Sequence, residues 1–127
     1  MNEDQIEEIE LGIKNGVDVT IYAKKEFDCG QMEQIRVGLE KGLGVTIYAK
    51  PEFNWHQMYE IRQGLEEGLD VSIYAKPEFD WEQMRQILLG LERGIDVNIY
   101  AKPCIKWMEM YDIRGRLLKE KKWTKTK

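Results

Sequence analysis

The stretch VSIYAKPEFDW, Val71 to Trp81, occurs four times in this chain with small changes. The other copies are VTIYAKKEFDC from Val19, VTIYAKPEFNW from Val45 and VNIYAKPCIKW from Val97. The tyrosines of the four copies follow one another at intervals of 26 residues, without insertion or deletion: Tyr22, Tyr48, Tyr74 and Tyr100. Repetition at such a period is typical of solenoids, whose units are too small to bury an apolar face alone and therefore cover one another.

Each unit contains one helix with a marked start and a marked end. Met84, Ile87 and Leu91 recur at the three- and four-residue steps of one helical face. Asp80 precedes this helix and Gln83 follows three positions later, which is the pattern of a capping box. A glycine suited to the left-handed turn that ends helices stands after the helix in four units: Gly16, Gly42, Gly68 and Gly94.

A second glycine in each unit lies inside the helix, where it costs about 1 kcal/mol relative to alanine. These glycines repeat with the same period: Gly12, Gly38, Gly64 and Gly90. We expect the neighbouring helix to cross each of them too closely for a side chain.

The segment between the helices has two interpretations. Val71 to Ala75 alternates and is rich in residues that favour strands. Alternatively, Asp70 caps a short helix from Val71 to about Lys76, which ends before Pro77 because the residue before a proline avoids helical angles.

The string QMYEIRQGLEEGLDVSIYAKPEFDWEQM, residues 57–84, resembles a repeat found in proteins of gut Firmicutes and their mobile elements. The resemblance extends from about Ile9 to Ile113 and implies a fold and a context, without an activity. It favours two helices per unit. We therefore predict an all-α fold, a short αα-repeat solenoid of about four repeats with modified end units over residues 1–118, followed by a basic C-terminal tail, 119–127. The alternative is a strand–helix horseshoe like that of leucine-rich-repeat proteins.

Composition and charge narrow the class of partner. The chain is 43% hydrophobic and 33% charged and is long enough to bury a core. Net charge is −4; the tail holds five lysines against one glutamate, +4, so residues 1–118 carry −8. An acidic body argues against direct nucleic-acid binding, which needs clustered Lys and Arg. It favours a protein partner with a basic surface.

The N-terminal sequence, the lengths of the apolar runs and the number of cysteines indicate the cellular compartment. The acidic N-terminus does not resemble a secretory signal, and no apolar run is long enough for a membrane span. Cys29 and Cys104 are too few for a disulfide framework and lie three units apart. We expect a cytoplasmic protein with reduced thiols.

Residues that carry chemistry are scarce. His56 is the only histidine, and we expect it to be a surface residue. No zinc-binding set and no glycine-rich phosphate loop can be assembled from the sequence. We therefore predict no catalytic site, no metal and no cofactor.

The candidate binding surface comes from positions that stay aromatic or vary between units. Three tryptophans occupy the first turn of successive helices, where we expect part of each indole to be exposed; a structural ladder is the alternative reading of this column. Two further columns vary from unit to unit and mix apolar, aromatic and charged residues. We predict a protein-binding site made of Val37, Trp55, Tyr59, Trp81, Arg85, Leu89, Trp107 and Tyr111.

These patterns indicate a non-catalytic protein-binding repeat module that presents variable surface columns on a rigid solenoid. An alternative, by analogy, is an inhibitor from a phage or mobile element, of the anti-CRISPR or anti-restriction type, that blocks the basic channel of a host nucleic-acid-binding protein. A third class is a homo-oligomer joined through the solenoid ends. The sequence leaves the oligomeric state open.

Overall fold

The structure, a computed structural model, describes residues 1–126, with side chains as far as Trp123. In this range the chain forms helices and turns, without a strand. Five α-helices alternate with four 3-10 helices at Val19–Ile21, Val45–Ile47, Val71–Ile73 and Val97–Ile99. The α-helices are α1 Glu3–Lys14, α2 Cys29–Glu40, α3 Trp55–Glu66, α4 Trp81–Glu92 and α5 Trp107–Thr126. Each α-helix packs against the next, so the prediction of an all-α repeat array is confirmed and the horseshoe alternative is wrong.

The helix signals in the sequence act as predicted. In α4 the Asp80 carboxylate accepts the backbone N–H of Gln83 at 2.7 Å, and the Gln83 side chain accepts the backbone N–H of Asp80 at 2.9 Å. The same reciprocal capping box begins α1, α2 and α3. The glycines after the first four helices all have positive φ, between 67° and 78°, which only glycine adopts without strain.

The short segment is a single 3-10 turn. The Asp70 carboxylate accepts the backbone N–H of Ser72 at 3.2 Å, as a helix cap does. Val71 and Tyr74 point into the core with 3% and 0% of their surfaces exposed. Their spacing of three residues, rather than two, brings both to the same side, which is why the alternating sequence does not form a strand.

The mid-helix glycines serve a purpose other than the predicted one. A Cβ on Gly64 would collide with the hydroxyl of Tyr74 and with Val71, both from the 3-10 turn of the same unit. The neighbouring α-helix is not the cause, so that prediction is wrong. Tyr74 lies across the glycine and donates its hydroxyl to the backbone carbonyl of Glu60 at 2.6 Å. Tyr22, Tyr48 and Tyr100 make the same bond to the carbonyls of Glu8, Gln34 and Gln86.

A glutamine in each capping box also joins one unit to the next. The Gln57 side-chain amide donates to the backbone carbonyl of Phe79 at 2.6 Å, and Gln57 is only 6% exposed. Gln5, Gln31 and Gln83 reach the carbonyls 22 residues later in the same way. Around these bonds the core consists of stacked columns of buried side chains, including Met58, Ile61 and Phe79.

The last helix, α5, departs from the repeat in sequence and in length. Glu109 occupies the glutamine position, and Arg116 occupies the mid-helix glycine position. Helix α5 continues through residues 119–126 of the predicted basic tail. The Lys121 ammonium group donates to the carbonyls of Arg93 at 2.6 Å and Gly94 at 3.1 Å, which places a positive charge at the carboxyl end of α4. Lys127 lies outside the described residues.

Replacing Gly64 with alanine should destabilise the protein, because the new methyl group occupies the space of the Tyr74 hydroxyl. We expect the free energy of unfolding in urea to fall by about 1–3 kcal/mol, since overpacking exceeds the gain in helix propensity. Gly115 in α5 is the matched control, because a Cβ there meets no atom within 4 Å. Gly115→Ala should stabilise by about 0.5–1 kcal/mol. Equal effects at the two sites would contradict this account of the glycines.

Changing Gln57 to glutamate should weaken the link between units, because a carboxylate accepts the capping bond but donates nothing to the Phe79 carbonyl. We expect a loss of about 1–3 kcal/mol in chemical unfolding, the cost of leaving a buried carbonyl facing another acceptor. Glu109→Gln makes the reverse exchange at the same repeat position in α5 and should change stability by less than about 0.5 kcal/mol. If Gln57→Glu left the free energy of unfolding unchanged, the hydrogen bond from Gln57 to the Phe79 carbonyl would contribute nothing to stability.

Candidate functional site

A surface groove of about 300 Å³ lies between the first turns of α3 and α4. We call it the tryptophan groove and define it by Trp55, His56, Tyr59, Glu60, Trp81 and Arg85. The α3 residues fall at steps of one, four and five along the helix, and the two α4 residues are four apart, so each set shares one helical face. The capping boxes at Asn54 and Asp80 fix where both helices begin and therefore how these faces are aligned.

Three aromatic rings form a row along the groove. The His56 ring lies between two indoles, with ring centroids 3.5 Å from Trp55 and 4.9 Å from Trp81. Trp55 remains 43% exposed and rests on Gly30 of α2, where a Cβ would approach the Trp55 Cβ to 3.2 Å. His56, expected to be a plain surface residue, is half-buried by this stacking. The ring planes are tilted by 40° and 39° to one another, and the Trp55 end of the row is the exposed one.

Glu60 forms a buried carboxylate beside these rings. The residue is only 3% exposed, and its Oε1 atom has no hydrogen-bond partner. The nearest cation is Arg85, whose Nη1 lies 3.5 Å from that oxygen, longer than a normal charge-assisted hydrogen bond. Burial raises the pKa of Glu60, and the neighbouring Arg85 offsets this effect only in part.

Comparison between units shows what Glu60 lacks. At the equivalent positions the side chains of Glu8, Gln34 and Gln86 each accept a hydrogen bond from an arginine 28 residues later in the chain. The donors are the Nε atoms of Arg36 at 2.7 Å, Arg62 at 3.0 Å and Arg114 at 3.1 Å. The residue 28 positions after Glu60 is Leu88, which is 3% exposed and donates nothing. The arginine of α4 stands one turn earlier, at position 85.

A second depression, of about 220 Å³, continues the surface toward α5. It is lined by Trp81, Glu82, Arg85, Gln86 and Trp107. The Arg85 side chain is 48% exposed and borders both depressions. The three tryptophans therefore lie along one continuous surface, with an arginine between the second and the third.

The structure brings together some of the predicted binding residues and separates others. Trp55, Tyr59, Trp81 and Arg85 line the groove, and Trp107 lines the adjoining depression. Val37 and Leu89 are half-buried and line neither depression.

Tyr111 is exposed and lies apart, in a wider depression along the outer side of α5. Its ring lies under the guanidinium of Arg114, 5.3 Å from the centroid. This depression is otherwise lined largely by basic residues of α5, so it differs in character from the tryptophan groove.

Sequence reasoning missed His56 and Glu60. For Glu60 a signal was present, because Leu88 interrupts a column that is arginine in the units before and after it. For His56 the signal was weaker: it stands beside Trp55 and one unit before Glu82, and the stagger of the helices decides that it meets Trp81.

No protein-family model matches the chain, and no curated protein or solved structure is significantly similar to it. Within the described residues, no three His, Cys, Asp or Glu side chains are grouped so that they could hold a metal ion. Every helix in the same part of the chain is too short or too polar to cross a membrane. Cys29 and Cys104 are free and exposed.

Replacing Glu60 with glutamine should stabilise the protein at neutral pH. The folded-state pKa of Glu60 is raised, so its contribution to stability is fully present below about pH 4.3 and is lost as the pH rises through the folded-state pKa. At pH 7 we expect the free energy of unfolding of Glu60→Gln to exceed that of wild type by about 1–2 kcal/mol. This difference between variant and wild type should shrink as the pH falls toward 4.

Urea unfolding at several pH values measures this difference. Glu78→Gln, at an exposed position, controls for the loss of one acidic charge. An advantage of Glu60→Gln that is the same at pH 4 and pH 7 would contradict the raised pKa.

Proposed function

We propose that this chain is a non-catalytic protein-binding module of the cytoplasm, which recognises its partner through the tryptophan groove and the adjoining depression. The observation that carries the proposal is a contrast between two kinds of repeat position, those that hold the frame together and those that line the groove. The recurring positions of Tyr74 and Gln57 are buried in the frame. Positions 59 and 85, which change from unit to unit, line a groove with the exposed Trp55 and the half-buried Trp81. Tryptophan, tyrosine and arginine are the residue types most enriched at binding hot spots.

A rigid frame supports binding by fixing this surface in advance. Each unit is held by a tyrosine hydroxyl within it and by a glutamine amide to the next unit. The row of Trp55, His56 and Trp81 limits how far these side chains can move. Little conformational entropy is then lost when a partner docks, so more of the contact energy contributes to affinity.

The charge beside the groove favours a basic partner. The columns that supply the groove residues in α3 and α4 carry exposed acids in α1 and α2, namely Glu3, Asp4, Glu7 and Glu33. This acidic edge is also the observation that favours the second candidate function, inhibition of a host protein through its basic channel. Such an inhibitor relies on electrostatic attraction and therefore loses affinity steeply as salt increases, whereas binding through the indoles is less sensitive to salt.

The proposal can be tested with a photo-crosslinking amino acid placed at Tyr59, in the groove, or at Thr46, which is exposed on a 3-10 helix away from it. In host lysate we expect the Tyr59 probe to capture a defined protein that the Thr46 probe does not capture. Adding Trp55→Ala should reduce capture about 10-fold or more, the loss typical of a hot-spot tryptophan. Circular dichroism checks that the variant is folded.

Two results would count against this function. Equal capture from both positions would mean that the groove is not the binding surface, and no capture by either probe would remove the protein-binding function itself. Repeating the capture in about 50 mM and 500 mM salt separates the two candidate functions, because only the electrostatic inhibitor should lose its partner at the higher concentration.

A further inference from the structure

We infer that the tryptophan groove receives an arginine side chain of a protein partner, whose guanidinium pairs with Glu60 and stacks on the indoles. The inference rests on the proposed protein-binding function and names the chemical group that the groove recognises. Two features of the described residues support it: the incompletely filled pairing position at Glu60 and the aromatic walls.

The pairing position is defined by the repeat itself. In three units an arginine Nε lies 2.7 to 3.1 Å from the side-chain oxygen at the position of Glu60. For Glu60, the position where the other units have this arginine is occupied by Leu88, and the buried Oε1 atom has no hydrogen bond. A buried carboxylate oxygen without a hydrogen bond is costly, and the sequence retains one where a groove reaches it from the surface. The guanidinium of a partner's arginine would donate to Glu60 the hydrogen bond that the equivalent side chains in the other three units receive from an arginine of this chain.

The walls of the groove suit a planar cation. Guanidinium groups stack on aromatic faces and are less strongly hydrated than ammonium groups, so they bind against an indole at lower desolvation cost. One such stack already occurs at the groove residue Tyr59, under Arg62, and another on α5, where Arg114 lies over Tyr111; each guanidinium is 5.3 Å from the ring centroid. Trp55, at 43% exposure, retains accessible indole surface against which a further guanidinium can pack.

Arg85 is the present cationic neighbour of Glu60, and it leaves the position incompletely filled. Its Nη1 stands 3.5 Å from Oε1, and nearly half of its side chain is exposed. An exposed arginine can swing toward solvent or toward the second depression beside Trp107 without breaking a short hydrogen bond. A partner arginine can therefore approach Glu60 while Arg85 moves aside.

The experiment uses a short peptide with one arginine between glycines and an otherwise identical peptide with neutral citrulline. Binding is followed by NMR through the indole N–H signals of Trp55 and Trp81, with the signal of Trp123 as an internal reference. We expect the arginine peptide to shift the two groove signals in a saturable way, and to bind at least 10-fold more tightly than the citrulline peptide. A lysine peptide should bind more weakly than the arginine peptide.

The deciding variant is Leu88→Arg, which supplies an arginine from within the chain at the repeat position where Arg36 pairs with Glu8. It keeps every groove residue, and we expect it to weaken the arginine peptide at least 10-fold. Thr46→Arg adds the same charge at an exposed position away from the groove and should leave binding within about 2-fold of wild type. Glu60→Gln, which removes the carboxylate charge with little change of shape, should also weaken binding at least 10-fold and is the second test if Leu88→Arg does not fold.

Several results would overturn the inference. These are equal binding of the arginine and citrulline peptides, tighter binding of the lysine peptide, and undiminished binding by a folded Leu88→Arg or by Glu60→Gln. If the arginine peptide fails while the Tyr59 cross-linker still captures its protein, recognition of arginine is wrong and the protein-binding function stands. If the peptide binds as expected but no protein is captured, the groove recognises arginine and the proposed protein-binding function is wrong.

Discussion

The contact between a tyrosine and a glycine holds this molecule in its repeating form. The glycine leaves a gap in the surface of an α-helix, and the tyrosine of the following 3-10 turn fills that gap and bonds to a carbonyl beneath it. Because the hydroxyl is buried, its pKa is raised, to about 12 at Tyr100, so it remains a donor over the whole ordinary pH range. The contact fixes the path of the chain from one helix to the next. Repeated four times, it keeps equivalent side chains in line, and the tryptophan groove depends on that alignment.

The groove lies where one unit departs from the hydrogen-bond pattern of the repeat. Three units satisfy the buried polar side chain on one helix with an arginine from the next, and the fourth does not. The exception coincides with the place where Trp55, His56 and Trp81 line the surface. Natural proteins commonly give up stability at positions used for binding, and the buried carboxylate of Glu60 beside partly exposed indoles agrees with the binding role that we propose for the groove.

Much of the fold was predictable because its signals are local. A capping aspartate, a glutamine three positions on and a glycine after the last turn act within a few residues, so the bounds of α4 could be read from the sequence alone. The role of Gly64 could not, because a helical wheel gives the face on which a glycine lies but not the element that covers that face. The covering element is a 3-10 turn of only three residues, whose sequence also suits a strand.

The site was harder to predict, since it depends on the stagger between helices. Tyr59 and Arg85 stand in the same column, and their placement in one groove follows from the column. Glu60 meets position 88 and His56 meets Trp81 only when two helices are set side by side in three dimensions. Leu89 and Val37 were assigned to the surface by the same wheel and are half-buried outside the groove. That wheel treats a helix as isolated, whereas each inner helix here has a neighbour on both sides.

The glutamine links have a consequence for how the chain folds. Each reaches 22 residues ahead, and the arginine bonds reach 28 residues back, so both join only adjacent units. Contacts of such short sequence separation give a low contact order, which is associated with rapid folding. Cooperativity then passes along the array from neighbour to neighbour, as in a one-dimensional chain of coupled elements. In such a chain a helix held on both sides opens less readily than one held on a single side, and Glu60 lies in α3, which packs against both α2 and α4.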